Sequence, residues 1–288
     1  MVKNNQMFDV VPHLKVKIGG LEVPLYNRIV NLGYSFEKTA SLIDQLRCQN
    51  HEKEWEKVKI LINDFNYINF LAMLSQTTDH EIVNLLNEFY NDEKFRAEFS
   101  QKMNGFEMEN NPYGGDVRFH SLTLYVLVRV LKPEIMIETG VANGKSSSLI
   151  LCAMEHNQKG RLISIDLPNK PGKILLDGGK TNTGNHNVGW LVPDYLKKRW
   201  DLLIGDSKEV LPKLLININK VDIFLHDSLH TYEHVQFELN TILPKLRRKS
   251  LILCDNIDLG VGRAFNEFLN ENNLIGYAYR DFGGAALK

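Results

Sequence analysis

Cysteine is scarce in this sequence. Three occur among 288 residues, Cys48, Cys152 and Cys254. Odd in number and far apart, they form neither a disulfide frame nor a zinc site, and they read as free thiols of a reducing compartment. Long apolar runs are missing as well. No stretch reaches the roughly 18 apolar residues that would announce a membrane-spanning helix. The opening MVKNNQMFDVVPHLKVKIGG has no continuous apolar core of the signal-peptide kind. A cytoplasmic protein is therefore expected. An excess of charge is also lacking, since the formal net charge is −1. That removes the electrostatic footprint of a nucleic-acid or membrane-surface binder. Internal repeats and low-complexity tracts are absent. What remains is 43% hydrophobic and 24% charged residues, enough for a proper core. The length suits one large domain, or one domain with an appendage.

The chain changes character near residue 110. Before it, SFEKTASLIDQLR, WEKVKILINDFNYINFLAML and DHEIVNLLNEFYND carry apolar residues at three- and four-residue spacing. Residues 1–112 read as a helical N-terminal region, either an appendage packed on a larger domain or a cap over a substrate. NNPYGGDVRF is a turn-rich junction. Residues 113–288 then alternate short apolar runs with helical segments. EIMIET, GRLISID, RWDLLIGD, VDIFLHD and SLILCDN read as strands, and LIGYAYRDF as a strand that pairs with the last residues. Such alternation specifies an α/β fold, a Rossmann-like sheet with helices on both faces. Ligands of these sheets sit at the carboxyl ends of the strands.

The first strand end is ETGVANGKSSS. Gly140 and Gly144 enclose Val141, Ala142 and Asn143, one residue too few for a triphosphate-binding loop. The dinucleotide pattern G-x-G-x-x-G is absent too. Glycines still let a backbone approach a ligand closely, and the helix start offers free amide donors. Asp166 closes the next strand about 20 residues on, where an acid holds the ribose of an adenosine in NAD and adenosylmethionine enzymes alike. Asp206 and Ser207 follow the third strand. Glu138, Gly140, Asp166 and Asp206 thus form an ordered set at successive strand ends.

IETGVANGKSS, ISIDLP and LIGDS together resemble the cofactor motifs of class I S-adenosylmethionine-dependent methyltransferases. GWLVPDYLKKRW and FLHDSLHTYEHVQFE resemble a bacterial group with a D-x-x-H-x-Y signature, some of whose members methylate sugars in glycans and natural products. The resemblance covers roughly residues 113–288, the implied methyltransferase domain. It implies that the turn, with Gly140, Gly144 and Ser146, holds the methionine end of the cofactor. Adenosylmethionine has no phosphates to cradle, so the short loop suffices. Glu138 would lie near the methionine portion, Asp166 on the ribose, and Asp206 with Ser207 by the adenine. Lys145 would be a solvated helix residue.

Strands four and five of that domain end in FLHDSLH and LCDN. Asp227, Asp255 and Asn256 supply hard oxygen donors that suit Mg²⁺. They match the pattern of catechol-type O-methyltransferases, in which the metal holds two acceptor hydroxyls. Without a metal, Asp227 is a helix cap and Asp255-Asn256 a turn. His230, three residues after Asp227, is a candidate general base. His226 would orient the strand end, His234 would sit on an ordinary helix face, and Tyr232 would be in the core or the pocket. The segment NKPGKILLDGGKTNTGNHNVGW is long for a strand-to-helix connection and reads as a lid. The expectation is an adenosylmethionine-dependent O-methyltransferase for a sugar or other polyhydroxylated acceptor, a small molecule or glycan, with Mg²⁺ assisting. It would act without nucleic acid or membrane, and the sequence leaves room for a homo-oligomer. An N- or C-methyltransferase on the same scaffold, a nicotinamide-dependent oxidoreductase and a binding protein without turnover are the alternatives.

Overall fold

The computed structural model describes residues 14–18, 21–26, 28–32, 51–103, 119–169, 186–257 and 260–288. Ten strands form one sheet: β1 (Leu14–Ile18), β2 (Leu21–Tyr26), β3 (Ile29–Asn31), β4 (Ile135–Thr139), β5 (Arg161–Asp166), β6 (Trp200–Ile204), β7 (Val221–His226), β8 (Leu246–Cys254), β9 (Gly276–Tyr279) and β10 (Phe282–Ala286). Their order is β1-β2-β3-β9-β10-β8-β7-β4-β5-β6. From β6 to β8 the strands run parallel. β10 inserts antiparallel between β8 and β9. This is an α/β fold of the Rossmann-like kind. The order reverses at β4, so the carboxyl ends of β4, β5 and β7 face a common crevice.

The parallel strands bury both faces, and the period of two decides which residue goes where. Met136, Leu162, Ile223 and Leu251 share one face and one core. Ile137, Ile163, Phe224 and Ile252, one residue on, share the other. The first core is covered by α1 (His51–Ile62), α2 (Phe65–Ser75), α3 (Asp79–Tyr90), α4 (Glu93–Met103), α5 (Phe119–Leu131) and α6 (Lys145–Asn157). The second is covered by α7 (Ser207–Ile216), α8 (Tyr232–Ile242) and α9 (Gly260–Glu271). No helix among the described residues is long and apolar enough to cross a membrane.

Two features depart from the sequence reading. Residues 51–103 carry four helices, but 14–18, 21–26 and 29–31 are strands, and β3 joins the sheet parallel to β9. Pairing with an open sheet edge settles their conformation. The continuous period over residues 55–74 is also broken, because Asp64 ends one helix and caps the next. Its Oδ1 accepts from the amides of Asn66 and Tyr67 at 3.0 and 3.1 Å. SFEKTASLIDQLR and most of NNPYGGDVRF lie outside the described residues.

The N-terminal helices are tied to the sheet by buried polar contacts as well as by the shared core. Tyr67 donates to the carbonyl of Phe119 at 3.0 Å, and Tyr279 donates to Asp64 Oδ2 at 2.6 Å. Arg129 of α5 grips both oxygens of Glu88 on α3, at 2.7 and 2.8 Å. Asp64 is therefore both a helix cap and the acceptor for a hydroxyl of β9. Asp64→Ala removes the cap and leaves a buried hydroxyl unpaired, which should cost about 2–4 kcal/mol. Urea unfolding measures it, and a loss below ~0.5 kcal/mol would show that Tyr279 finds another acceptor.

Candidate active site

The strand following β3 and the N-terminal helices is β4, and its carboxyl end turns sharply. Gly140 and Gly144 both have φ of +85°, and Ala142 between them has +48°. Gly140 donates to the Ile165 carbonyl at 2.9 Å, and Gly144 to Val141 at 2.8 Å. A Cβ on Gly140 would overlap the carbonyl oxygen of Asp227. The glycine is thus required by the neighbouring β7 loop. A Cβ on Gly144 would lie 2.8 Å from Gly189 Cα, so there two glycines face each other.

Asp166 holds this turn in shape. Its Oδ2 accepts from the amides of Val141 and Ala142 at 3.0 and 2.7 Å, and its Oδ1 from Leu167 at 2.7 Å. Burial raises its pKa, and the three amides oppose that. Glu138 lies beneath the turn, wholly buried. Its Oε1 accepts from Ser164 at 2.6 Å and from Ser147. Ser147, and not the half-buried Ser146, is the helix serine that reaches it. Glu138 Oε2 is buried with no protein partner among the described residues. Burial, with the charges of Asp227 and Asp166 adding to it against the two serines, pushes the carboxyl up to about 7.

The chain returning from residue 186 packs on the turn. Gly189 donates to Ala142 and Leu191 to Asn143, both at 2.9 Å, while the Trp190 indole donates to Asn143 Oδ1 at 3.1 Å. Trp200 donates to Ser164 at 2.7 Å. A cleft of about 530 Å³ opens here, lined among others by His186, Gly189, Trp190, Trp200 and Leu202. Residues 170–185 of the expected lid lie outside the described residues. Ile204, half exposed, ends β6 beside the exposed Asp206. Asp206 caps α7 by accepting from Lys208 at 2.8 Å. Ser207 turns inward to His234, 2.9 Å away.

That contact belongs to a network that the sequence did not reveal. Glu238, fully buried on α8, accepts from Thr139 at 2.6 Å and Ser228 at 2.9 Å. It also faces His226 Nδ1 at 2.7 Å and His234 Nε2 at 2.9 Å. A carboxylate only accepts, so both ring nitrogens carry hydrogen here. Burial would raise the Glu238 carboxyl, but the two histidines and their hydrogen bonds hold it well below the usual range. The network secures the loop that carries Asp227 and His230, whose Oδ1 and Nε2 are 3.7 Å apart. His234 is therefore buried and paired, not on an ordinary helix face. Tyr232 is bonded to Glu267 on α9 and packs, partly buried, against the second core.

Asp255 and Asn256 follow β8, beside Asp227 after β7. The Asp255 amide donates to His226 at 3.0 Å, and Asp255 Oδ1 accepts from the Asn256 amide at 2.9 Å. The same oxygen lies 3.4 Å from His120 Nε2, which is 2.9 Å from Asp281 Oδ1. Burial and the charges of Asp227 and Asp281 push Asp255 up to about 7, against the pull of His120. Burial alone would lower His120, but the carboxylates of Asp255, Asp281 and Asp227 outweigh it and raise it. Neither His120 nor Asp281 stands in a motif, and only the fold brings them to Asp255.

The family profile described as a methyltransferase domain matches residues 137–257. The segment is similar to a methyltransferase domain. It runs from β4 to the turn after β8 and so contains the glycine turn, Asp166, Asp227 and His230. Among solved structures, the SAH-bound methyltransferase PaMTH1 of Podospora anserina is similar at 14% identity and a TM-score of 0.48, covering 68% of this chain and 88% of that one. The O-methyltransferase of Bacillus cereus in complex with SAH is 12% identical, with a TM-score of 0.48 and coverages of 67% and 91%. The O-methyltransferase TomG of Streptomyces achromogenes is 16% identical, with a TM-score of 0.48 and coverages of 69% and 91%. No curated protein matches the chain.

Two outcomes follow for this domain. Gly140→Ala should cost clearly more than the roughly 1 kcal/mol typical of a lost glycine conformation, because the Asp227 backbone must move. A smaller loss in thermal melts would show that the two loops are not in contact. Glu138 has a raised pKa, so its burial weakens the fold increasingly as pH climbs from about 4.5 to about 7. Glu138→Gln should therefore raise the melting temperature more at pH 8 than at pH 5. A difference that is the same at both pH values would contradict the raised carboxyl.

Proposed function

We propose that this methyltransferase domain transfers the methyl group of S-adenosylmethionine to a hydroxyl of a sugar or other polyhydroxylated acceptor, a small molecule or a glycan. One observation carries the reading. The glycine turn packs directly against the Asp227 loop, so the place for the cofactor abuts the place for a base. A methyl group leaving a sulfonium held at the turn would emerge beside Asp227 and His230. Glu138, Gly140, Gly144 and Ser146 would border the methionine portion. The buried, unpaired Glu138 Oε2 suits an ammonium donor. Asp166 would serve the ribose while holding the turn, and Asp206 would lie by the adenine with Ile204 as an apolar platform.

The methyl passes in line from sulfur to the acceptor oxygen, and the sulfonium becomes a neutral thioether. His230 takes the hydroxyl proton, and Asp227, within 3.7 Å, orients the ring and stabilises its charged form. The remaining contribution is positioning. Asp227, Asp255 and Asn256 offer hard oxygen donors at adjacent strand ends, a donor set that fits Mg²⁺. A bound ion there would lower the pKa of the acceptor hydroxyl.

Calorimetry with adenosylhomocysteine and with NAD separates this reading from a nicotinamide-dependent enzyme. Only adenosylhomocysteine should bind, and Asp166→Ala should weaken it by about 1–3 kcal/mol. Transfer of labelled methyl to a panel of glycosides, amines and activated carbon acids then sorts O- from N- and C-transfer. His230→Ala should slow transfer by about 10²–10⁴-fold and flatten its rise with pH. NAD binding without adenosylhomocysteine binding would refute the proposal.

A further inference from the structure

The cluster around Asp255 draws on three separate parts of the chain. His120 comes from the first turn of α5, Asp255 from the end of β8, and Asp281 from the turn between β9 and β10. His120 Nε2, one oxygen of Asp255 and one of Asp281 all lie within 4.8 Å of one another. We propose that His120, Asp255 and Asp281 form a site for a divalent first-row transition ion, which binds Mn²⁺ more tightly than Mg²⁺. The inference rests on the proposed methyl transfer only in placing this ion beside the acceptor, and it gives Asp255 a different set of co-ligands.

The distances suit an ion. Ligand bonds of about 2.1 Å place neighbouring ligand atoms about 3 Å apart and opposite ones about 4.2 Å apart. His120 Nε2 is 2.9 Å from Asp281 Oδ1 and 3.4 Å from Asp255 Oδ1. The site is also built, not incidental. The His120 ring stacks on Phe282 and meets the edge of Phe119. The Ile257 amide donates to the Asp281 carbonyl at 2.8 Å and so clamps the turn after β8 to the turn before β10. All three side chains are at most 30% exposed. Two carboxylates face one imidazole, and Asp227 adds its field to both sides.

The imidazole sets the preference. Mg²⁺ takes oxygen ligands and keeps its waters, whereas a ring nitrogen favours transition ions. His120 and Asp281 both lie outside residues 137–257. The matched domain contributes Asp255, and the flanking parts of this chain contribute the rest.

Mn²⁺ titration of the full chain without cosubstrate, read by loss of the free-ion paramagnetic resonance signal, tests the site independently of turnover. Mn²⁺ should bind at one ion per chain, and Mg²⁺ should displace it only in about tenfold excess or more. His120→Ala and Asp281→Asn should each weaken Mn²⁺ by about 10–100-fold, with adenosylhomocysteine affinity retained as evidence of folding. If Mn²⁺ binding survives both substitutions but is lost in Asp227→Asn or Asn256→Ala, this site is wrong and the oxygen set of the proposed function stands. Absence of Mn²⁺ binding to the wild type, or equal affinity for Mg²⁺, also overturns it, and His120 is then an ion-paired histidine. Should His120→Ala fail to fold, Asp281→Asn and the Mg²⁺ competition still decide.

Discussion

The backbone of Gly140 resting on the carbonyl of Asp227 is the contact on which the site depends. It joins the turn after β4 to the loop after β7, the two places where a cofactor and a base would meet. Nothing larger than hydrogen fits between them. The neighbouring interactions serve to keep that contact in register. Asp227 donates its amide to Thr139 at 2.9 Å, and Asp166 pins Val141 and Ala142 from the other side. A sheet whose parallel strands end level would bring these loops near each other in any case. The glycine decides that they touch.

Carboxylates crowd this end of the sheet, and each is handled differently. Glu238 is buried yet kept ionised by two histidines and two hydroxyls. Asp166 is stabilised by backbone amides. Glu138 and Asp255 lack compensation of that quality, and their carboxyls rise to about 7. A buried acid without enough donors is a cost that a fold tolerates mainly at functional sites. The two under-compensated acids flank the Gly140–Asp227 contact, where a sulfonium and a metal ion are proposed to sit.

The N-terminal helices share the larger core and carry polar ties to β9 and α5. By packing there they fix α5, and α5 delivers His120 to the strand ends. The part of the chain outside the matched domain therefore shapes the side of the site proposed to take the acceptor, as well as covering a sheet face.

The sequence by itself determined the α/β alternation, the strand ends and the glycine turn, because short-range pattern encodes them. Periods of 2 and 3.6 and the needs of a tight turn are local properties. It also holds the pattern of a hairpin: LKVKI and LEVPLY alternate around Gly19-Gly20, and these runs are the strands at 14–18 and 21–26. Tertiary structure alone decided the partners. Ser147 and Ser164 meet at Glu138 from different elements, and Glu238 gathers residues from β4, the β7 loop and α8. His120 and Asp281, 161 residues apart, bond to each other. The physical reason is that a side chain's position depends on how helices and strands pack, whereas its neighbours in sequence record only the element it belongs to.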